Sequence, residues 1–320
     1  MRKLLGLAAL LVLGASAAIA LLWWSAGSAS GPHRVTVAEG STLSSVAQQL
    51  ERQRLLPGSA ATFRAMARVL GSSDPVQAGE FDIPAGTSAA RLLDILQHGR
   101  PVVRLITIAE GMPSVIVQEK LAALAGLRGA APLPPEGSVL PSSYDWQKGE
   151  ERKVVLARMT SAMDKALAAL WSKRKPGCPV STPHEAVTLA SIVEKETGKA
   201  SERKLVAGVY CNRLTIGMKL DADPTVIYPI TKGKPLGRRI KRSELDAITG
   251  YNTYREAGLP AGPIANPGRE SIAAVLDPAP TKALYFVADG TGGHVFADTL
   301  AEHNANVAKW YAIRRARGEM

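Results

Sequence analysis

Cysteine is scarce in this chain: Cys178 and Cys211 are the only two among 320 residues. Two thiols exclude a disulfide-stapled scaffold, and also a cysteine-built zinc or iron–sulfur centre, which takes roughly three or four cysteine ligands. The five histidines supply no replacement. His294 and His303 stand nine apart, so no HExxH-like pair shares a helical face. No metal and no cofactor is therefore expected. Acidic residues are also in deficit, 28 against 39 Lys plus Arg, and 39 − 28 gives a net charge of +11 and a pI near 9.7. That balance favours an anionic partner such as nucleic acid, a phospholipid surface or an acidic polymer. With 46% apolar and 21% charged residues the chain is neither disordered nor fibrous, and its length suits about two domains.

Charge is missing altogether from Leu4 to Trp24, where only Gly6, Gly14 and Ser16 interrupt the apolar run. At 1.5 Å per residue such a helix spans the roughly 30 Å hydrocarbon layer, which predicts a single membrane helix. A cleaved signal peptide is the rival reading, since Ala15-Ser16-Ala17 has the A-x-A form, but the run continues through Ile19, Leu21, Leu22 and Trp23. Arg2 and Lys3 then stay cytoplasmic, Trp23 and Trp24 suit the far interface, and everything after about residue 25 is exported. Export argues against nucleic acid as a partner. It also lets Cys178 and Cys211 oxidise to a disulfide, although a reduced Cys211 buried on a helix fits equally.

Residues 26–33, rich in Gly, Ser and Ala, read as a spacer. Beyond it a pattern of strand, glycine-containing turn and amphipathic helix recurs three times: from Val35-Thr36-Val37 with Ser41 as helix cap, from Phe81-Asp82-Ile83, and from Leu105 to Ile108. The repeats are too unevenly spaced for a solenoid and predict small α+β modules. Leu127 to Ser143, with four prolines, is loop. Glu150 to Trp171 is an amphipathic helix.

Thr182-Pro183-His184-Glu185 is a capping box that opens a helix. On it Ala186, Val187, Leu189, Ala190, Ile192 and Val193 fill a broad apolar arc. Glu194 and Glu196 both fall within that arc. A carboxyl there is either ion-paired, with Lys195, Lys199 or Arg203 at hand, or set at the rim of a cleft, where desolvation raises its pKa toward that of a general acid. Two residues apart on a helix, the pair diverges by about 200° and cannot grip one bond together.

The runs Leu189-Ala-Ser-Ile-Val-Glu-Lys-Glu-Thr197, Val209-Tyr-Cys-Asn-Arg-Leu214, Gly217-Met-Lys-Leu-Asp-Ala-Asp-Pro-Thr-Val-Ile-Tyr228, Tyr251-Asn-Thr-Tyr254 and Gly258 to Gly268, with Leu284 to Gly290, His294 and Phe296, resemble the endolytic murein transglycosylases, the YceG-like family. Pro141-Ser-Ser-Tyr144 departs from the family's usual Pro-Asp-Thr-Tyr. The resemblance implies an α+β fold with an N-terminal membrane helix, a LysM-like module over residues 34–100 and a catalytic domain over 101–320 on the periplasmic side of the inner membrane. It implies cleavage of the β-1,4 bond between N-acetylmuramic acid and N-acetylglucosamine in nascent peptidoglycan, with the catalytic Glu at Glu194 and cell-wall synthases as partners. The alternative is a peptidoglycan-binding scaffold without turnover.

A lytic transglycosylase needs one carboxyl, because the muramic acid 6-hydroxyl is the nucleophile and closes a 1,6-anhydro ring. Asn212, Tyr251, Asn252 and Tyr254 are candidates to hold the sugar's N-acetyl and hydroxyl groups, with turn and core packing as the alternative. Asp221 and Asp223 are the candidates for a second carboxyl. Asp223, before Pro224, reads as a helix cap. His294 either polarises a sugar hydroxyl or bonds a backbone carbonyl. Asn266-Pro267 is expected to start a helix, Leu284 to Ala288 to pair with His294 to Phe296 as a hairpin, and Thr299 to Glu302 to cap the last helix. The six cations between Thr231 and Arg242 suit lipid head groups or stem-peptide carboxylates, or are a solvated surface loop. No aromatic interleaves them, which argues again against nucleic acid.

Overall fold

The computed structural model describes Gly14, residues 17–27 and residues 30–319. It divides into two units, Met1–Arg104 and Leu105–Met320. The architecture is mixed α+β, with three two-stranded sheets among the described residues.

The first unit runs β1 (His33–Val37), α1 (Leu43–Arg52), α2 (Ala60–Leu70), β2 (Gly79–Ile83) and α3 (Ala89–His98). The strands pair antiparallel, with Val35 opposite Phe81. Period-two alternation turns Val35, Val37, Phe81 and Ile83 inward onto Leu50, Phe63, Leu92 and Leu96. Thr42, one residue beyond the expected Ser41, caps α1 in a capping box with Ser45.

Residues 17–24 are helical. Trp23, expected at a membrane interface, is instead 2% exposed, its ring 5.9 Å from that of Phe63. The expected spacer is tied as well, since Gly27 N donates to Gly86 O at 3.1 Å. Most of the predicted membrane run, residues 4–13 with 15 and 16, lies outside the described residues. Among those described, no helix is long and apolar enough to cross a membrane.

The second unit begins with β3 (Arg104–Thr107), which pairs with β4 (Ser143–Trp146), and α4 (Ser114–Ala123) lies between them in sequence. Four helices follow: α5 (Arg152–Trp171), α6 (Pro183–Glu196), α7 (Arg203–Thr215) and α8 (Asp223–Thr231). Next come the short α9 (Arg242–Leu245) and α10 (Arg269–Leu276), then the β5 (Tyr285–Ala288) and β6 (His294–Ala297) hairpin and α11 (Leu300–Ala316). The predicted capping boxes at Thr182 and Thr299 open α6 and α11.

Helix α6 is the axis of this unit. Every residue from Ala186 to Val193 is buried, packed with Val206, Tyr210, Ile272 and Val275 of α7 and α10. A Cys178–Cys211 disulfide ties the segment before α6 to α7. Closing a loop of 33 residues removes chain entropy equivalent to about 4 kcal/mol.

Two caps differ from expectation. Gly268, not Asn266, precedes α10. Asn266 is fully buried: its Oδ1 accepts from Val139 N at 2.9 Å, and its Nδ2 donates to Met112 O and Ser114 Oγ. Ala222, not Asp223, caps α8, which leaves the Asp223 side chain free for another partner.

Candidate active site

The last turn of α6 presents Glu194 and Glu196 to different surroundings, as their angular divergence requires. Glu194 Oε2 accepts from Gly268 N at 2.9 Å, and Oε1 lies 3.9 Å from Arg203 Nη2. The same guanidinium group stands 3.7 Å from Glu110 Oε2. Glycine at 268 leaves room for Glu110, whose Oε1 would lie 2.1 Å from a Cβ there and would have to shift. With its side chain only 7% exposed, Glu194 is thus committed to the protein, tying α6 to the loop before α10.

Glu196 opens into a groove of about 700 Å³, within the range of small-molecule sites. The groove also holds Asp221, Asp223, Arg213, Tyr254, Tyr285 and His303. Among the described residues no hydrogen bond or ion pair reaches the Glu196 carboxyl. Burial first and the negative charge of Asp223 second raise its pKa from 4.5 to about 7, against the opposing pull of Arg213. A carboxyl poised there can both give and take a proton near neutral pH.

Arg213 organises one side. It is 8% exposed, its Nε donates to Leu284 O at 2.6 Å and its Nη1 to Leu220 O at 2.9 Å, with Asp221 Oδ2 at 3.5 Å. Asp221 sits at φ 48°, and burial raises its pKa against the attraction of Arg213. Tyr254 Oη donates to Asp223 Oδ1 at 2.7 Å. The other side is one face of α11: Leu300, His303, Asn304, Val307, Trp310, Tyr311 and Arg314 line the groove. Their spacing of three and four residues is a single helical stripe about 21 Å long. Although this stripe is aromatic, no residue of α11 is buried.

Of the residues singled out in the sequence, the structure brings Asp221 and Tyr254 to the groove. The others go elsewhere. Asn212 Nδ2 donates to the carbonyls of Thr281 and Ala283, fastening the segment before β5. Asn252 is 1% exposed, donates to the carbonyls of Glu244, Leu245 and Ala247 and accepts from Tyr254 N, so it has no reach toward a sugar. Tyr251 packs on Tyr228 at 4.9 Å. His294 Nδ1 pairs with Glu202 Oε2 at 2.9 Å and packs edge-on to Phe286, outside the groove. The basic stretch is partly neutralised, with Lys234 on Glu119, Arg238 on Glu244 and Arg242 on Asp246.

Sequence reasoning weighed Asp223 as a second carboxyl but favoured a helix-cap role for it, and it missed Arg213 and the α11 stripe as groove residues. The stripe was readable from its spacing. The other two depend on partners 31 and 71 residues away.

The model of the YceG-like family matches residues 35–309. Among curated proteins, the endolytic murein transglycosylase of Streptococcus pneumoniae serotype 2 strain D39 is 36% identical over 180 residues, 54% of this chain and 32% of that protein. The endolytic murein transglycosylase of Bacillus subtilis strain 168 is 33% identical over 181 residues, 57% of this chain and 49% of that protein. The aligned stretch thus spans half or less of these relatives' length. A crystal structure of a YceG-like protein from Listeria monocytogenes shares the fold, with a TM-score of 0.53 at 24% identity over 86% of this chain and 98% of that one.

Proposed function

The chain belongs to the YceG-like family, and from that premise we propose that it is an endolytic lytic transglycosylase of peptidoglycan with Glu196 as its general acid and base. The observation that carries this reading is the buried Glu196 carboxyl in the wall of the groove, which no hydrogen bond reaches among the described residues and whose pKa burial pushes up to about 7. Curated relatives named endolytic murein transglycosylase supply the substrate class.

In this mechanism the Glu196 proton passes to the glycosidic oxygen between N-acetylmuramic acid and N-acetylglucosamine. The bond from the muramyl anomeric carbon to that oxygen breaks, and its electron pair stays on the oxygen. The muramyl 6-hydroxyl then bonds to the anomeric carbon, and its proton goes to the Glu196 carboxylate. The 1,6-anhydro ring is closed and the enzyme restored. Glu194, the position the motif first suggests, holds the Gly268 loop in place on this reading. The aromatic stripe of α11 supplies sugar-stacking surface.

The β1-α1-α2-β2 order of the first unit supports a LysM-like glycan-binding module, placed with the catalytic unit on the periplasmic side of the inner membrane by an anchor at Leu4 to Trp24. The Cys178–Cys211 disulfide favours such an oxidising compartment. Cell-wall synthases are the partner class this setting implies.

Mass spectrometry of digested glycan strands tests the reaction. The anhydro product, lighter by one water than a hydrolysed end, is expected from the parent protein and not from Glu196→Gln. Hydrolysed ends from the parent would overturn the lytic mechanism.

A further inference from the structure

A second carboxylate in the groove has no part in the proton transfers above. Asp223 is the first residue of α8, where the helix dipole favours negative charge. Tyr254 Oη donates to its Oδ1 at 2.7 Å. Among the described residues no Lys or Arg pairs with it, whereas Asp221 shares Arg213.

The position of Asp223 is fixed from behind. Thr253 is 1% exposed; its Oγ1 accepts from Ala222 N at 3.1 Å and lies 2.8 Å from Thr225 Oγ1. This locks Thr253 to the start of α8, and the Asn252 bonds tie the same loop to the carbonyls of Glu244, Leu245 and Ala247. The hydroxyl of the tyrosine so held bonds Asp223, which lines the same space as Glu196.

Resting on the glycosidase reading above, we propose that Asp223, held by Tyr254, is the second carboxylate of the site, a fixed negative charge that stabilises the positive charge developing at the muramyl anomeric carbon. Glycosidic cleavage passes through an oxocarbenium-like transition state. A preorganised opposite charge in a partly desolvated site stabilises such a state more than water does. The two carboxyls differ in the way that separates acid from anion: Glu196 is enclosed and without a hydrogen bond, while Asp223 has a donor and a helix N-terminus. The same charge keeps the Glu196 proton in place. Other groups facing Glu196 are Arg213 and Tyr210 on α7 and Asp221 in the loop before α8, together with His303 and Arg314 on α11 and Tyr285 on β5. Of these Arg213 opposes the effect, and its Nε and Nη1 donate to the carbonyls of Leu284, Lys219 and Leu220 and to Asp221.

The test uses the full chain and compares Asp223→Asn, Tyr254→Phe and Glu196→Gln for kcat, KM, melting temperature and pH profile. Asp223→Asn should lower kcat by about 10²- to 10³-fold, as loss of a transition-state charge partner does, with KM within about threefold. The alkaline limb of its profile should move to lower pH, because Glu196 loses a neighbouring anion. Tyr254→Phe keeps the anion and loosens its hold, so it should lower kcat by about tenfold or less and leave the limb near its parent position. A merely structural Asp223 would lower the melting temperature and leave the limb in place. If Glu196→Gln is inactive while Asp223→Asn keeps near-parent kcat and an unmoved limb, the proposal is overturned and the function reading stands. If Glu196→Gln keeps its turnover, that reading itself fails. Should Asp223→Asn not fold, Tyr254→Phe decides: a fall in kcat with KM and melting temperature kept supports the proposal, and a parent kcat overturns it.

Discussion

The two sides of the last turn of α6 make opposite use of a glutamate. On one side Glu194 accepts the Gly268 amide and faces Arg203, so its charge is compensated and its geometry fixed. On the other, burial first and the charge of Asp223 second push the Glu196 pKa up to about 7, and among the described residues no hydrogen bond reaches its carboxyl. On the proposed reading the same side chain, two residues apart, is a brace in one setting and a proton carrier in the other. Environment, not residue type, assigns the role.

The largest expected effect breaks the comparison outright. Glu196→Gln should lower kcat by up to about 10⁴-fold, near 5 kcal/mol of barrier, since one group serves both proton transfers. Glu194→Gln should cost less than about tenfold, because an amide oxygen can still accept from Gly268. Single-turnover assays on both variants decide between the two sides.

Stability should show the reverse order. Glu194→Ala leaves the Gly268 amide without its acceptor and Arg203 with only Glu110, a loss of about 2 kcal/mol, read as a lower melting temperature. Glu196→Gln should melt at or above the parent temperature near pH 8, because it removes a carboxyl that resists ionisation where it is buried. The pH dependence sharpens this further. The folded-state pKa of Glu196 is raised, so its contribution is fully present below about pH 4.5 and is lost as pH rises through about 7. The parent melting temperature should therefore carry a decline across that window that Glu196→Gln lacks.

The smallest effect concerns the outer wall. Trp310→Ala removes stacking surface from the α11 stripe and should raise KM about tenfold, worth about 1.4 kcal/mol, with kcat nearly unchanged. An equal fall in kcat would place Trp310 closer to the chemistry than the stripe's geometry implies.

Legibility in the sequence followed the range of the interactions. The capping boxes at Thr182 and Thr299, the buried arc of α6 and the β5–β6 hairpin are local patterns and were readable. The resemblance put the catalytic role on Glu194 rather than Glu196, and the Gly268 amide that bonds the Glu194 carboxyl lies 74 residues on, out of reach of any local pattern. Asp223-Pro224 carries a local cap signature, and the tertiary partner Tyr254 overrides it. Asn212 and Asn252 bond backbone, the alternative that loop asparagines always offer. Trp23 looked interfacial because the uncharged run before it said nothing of the pocket beside Phe63.

The most direct test is a titration of the Glu196 carboxyl itself, by carbon NMR on protein labelled at glutamate carboxyls, with Glu196→Gln identifying the signal. A midpoint near pH 7 is the predicted result. A midpoint near the ordinary 4.5 would contradict the assignment of Glu196 as the proton donor.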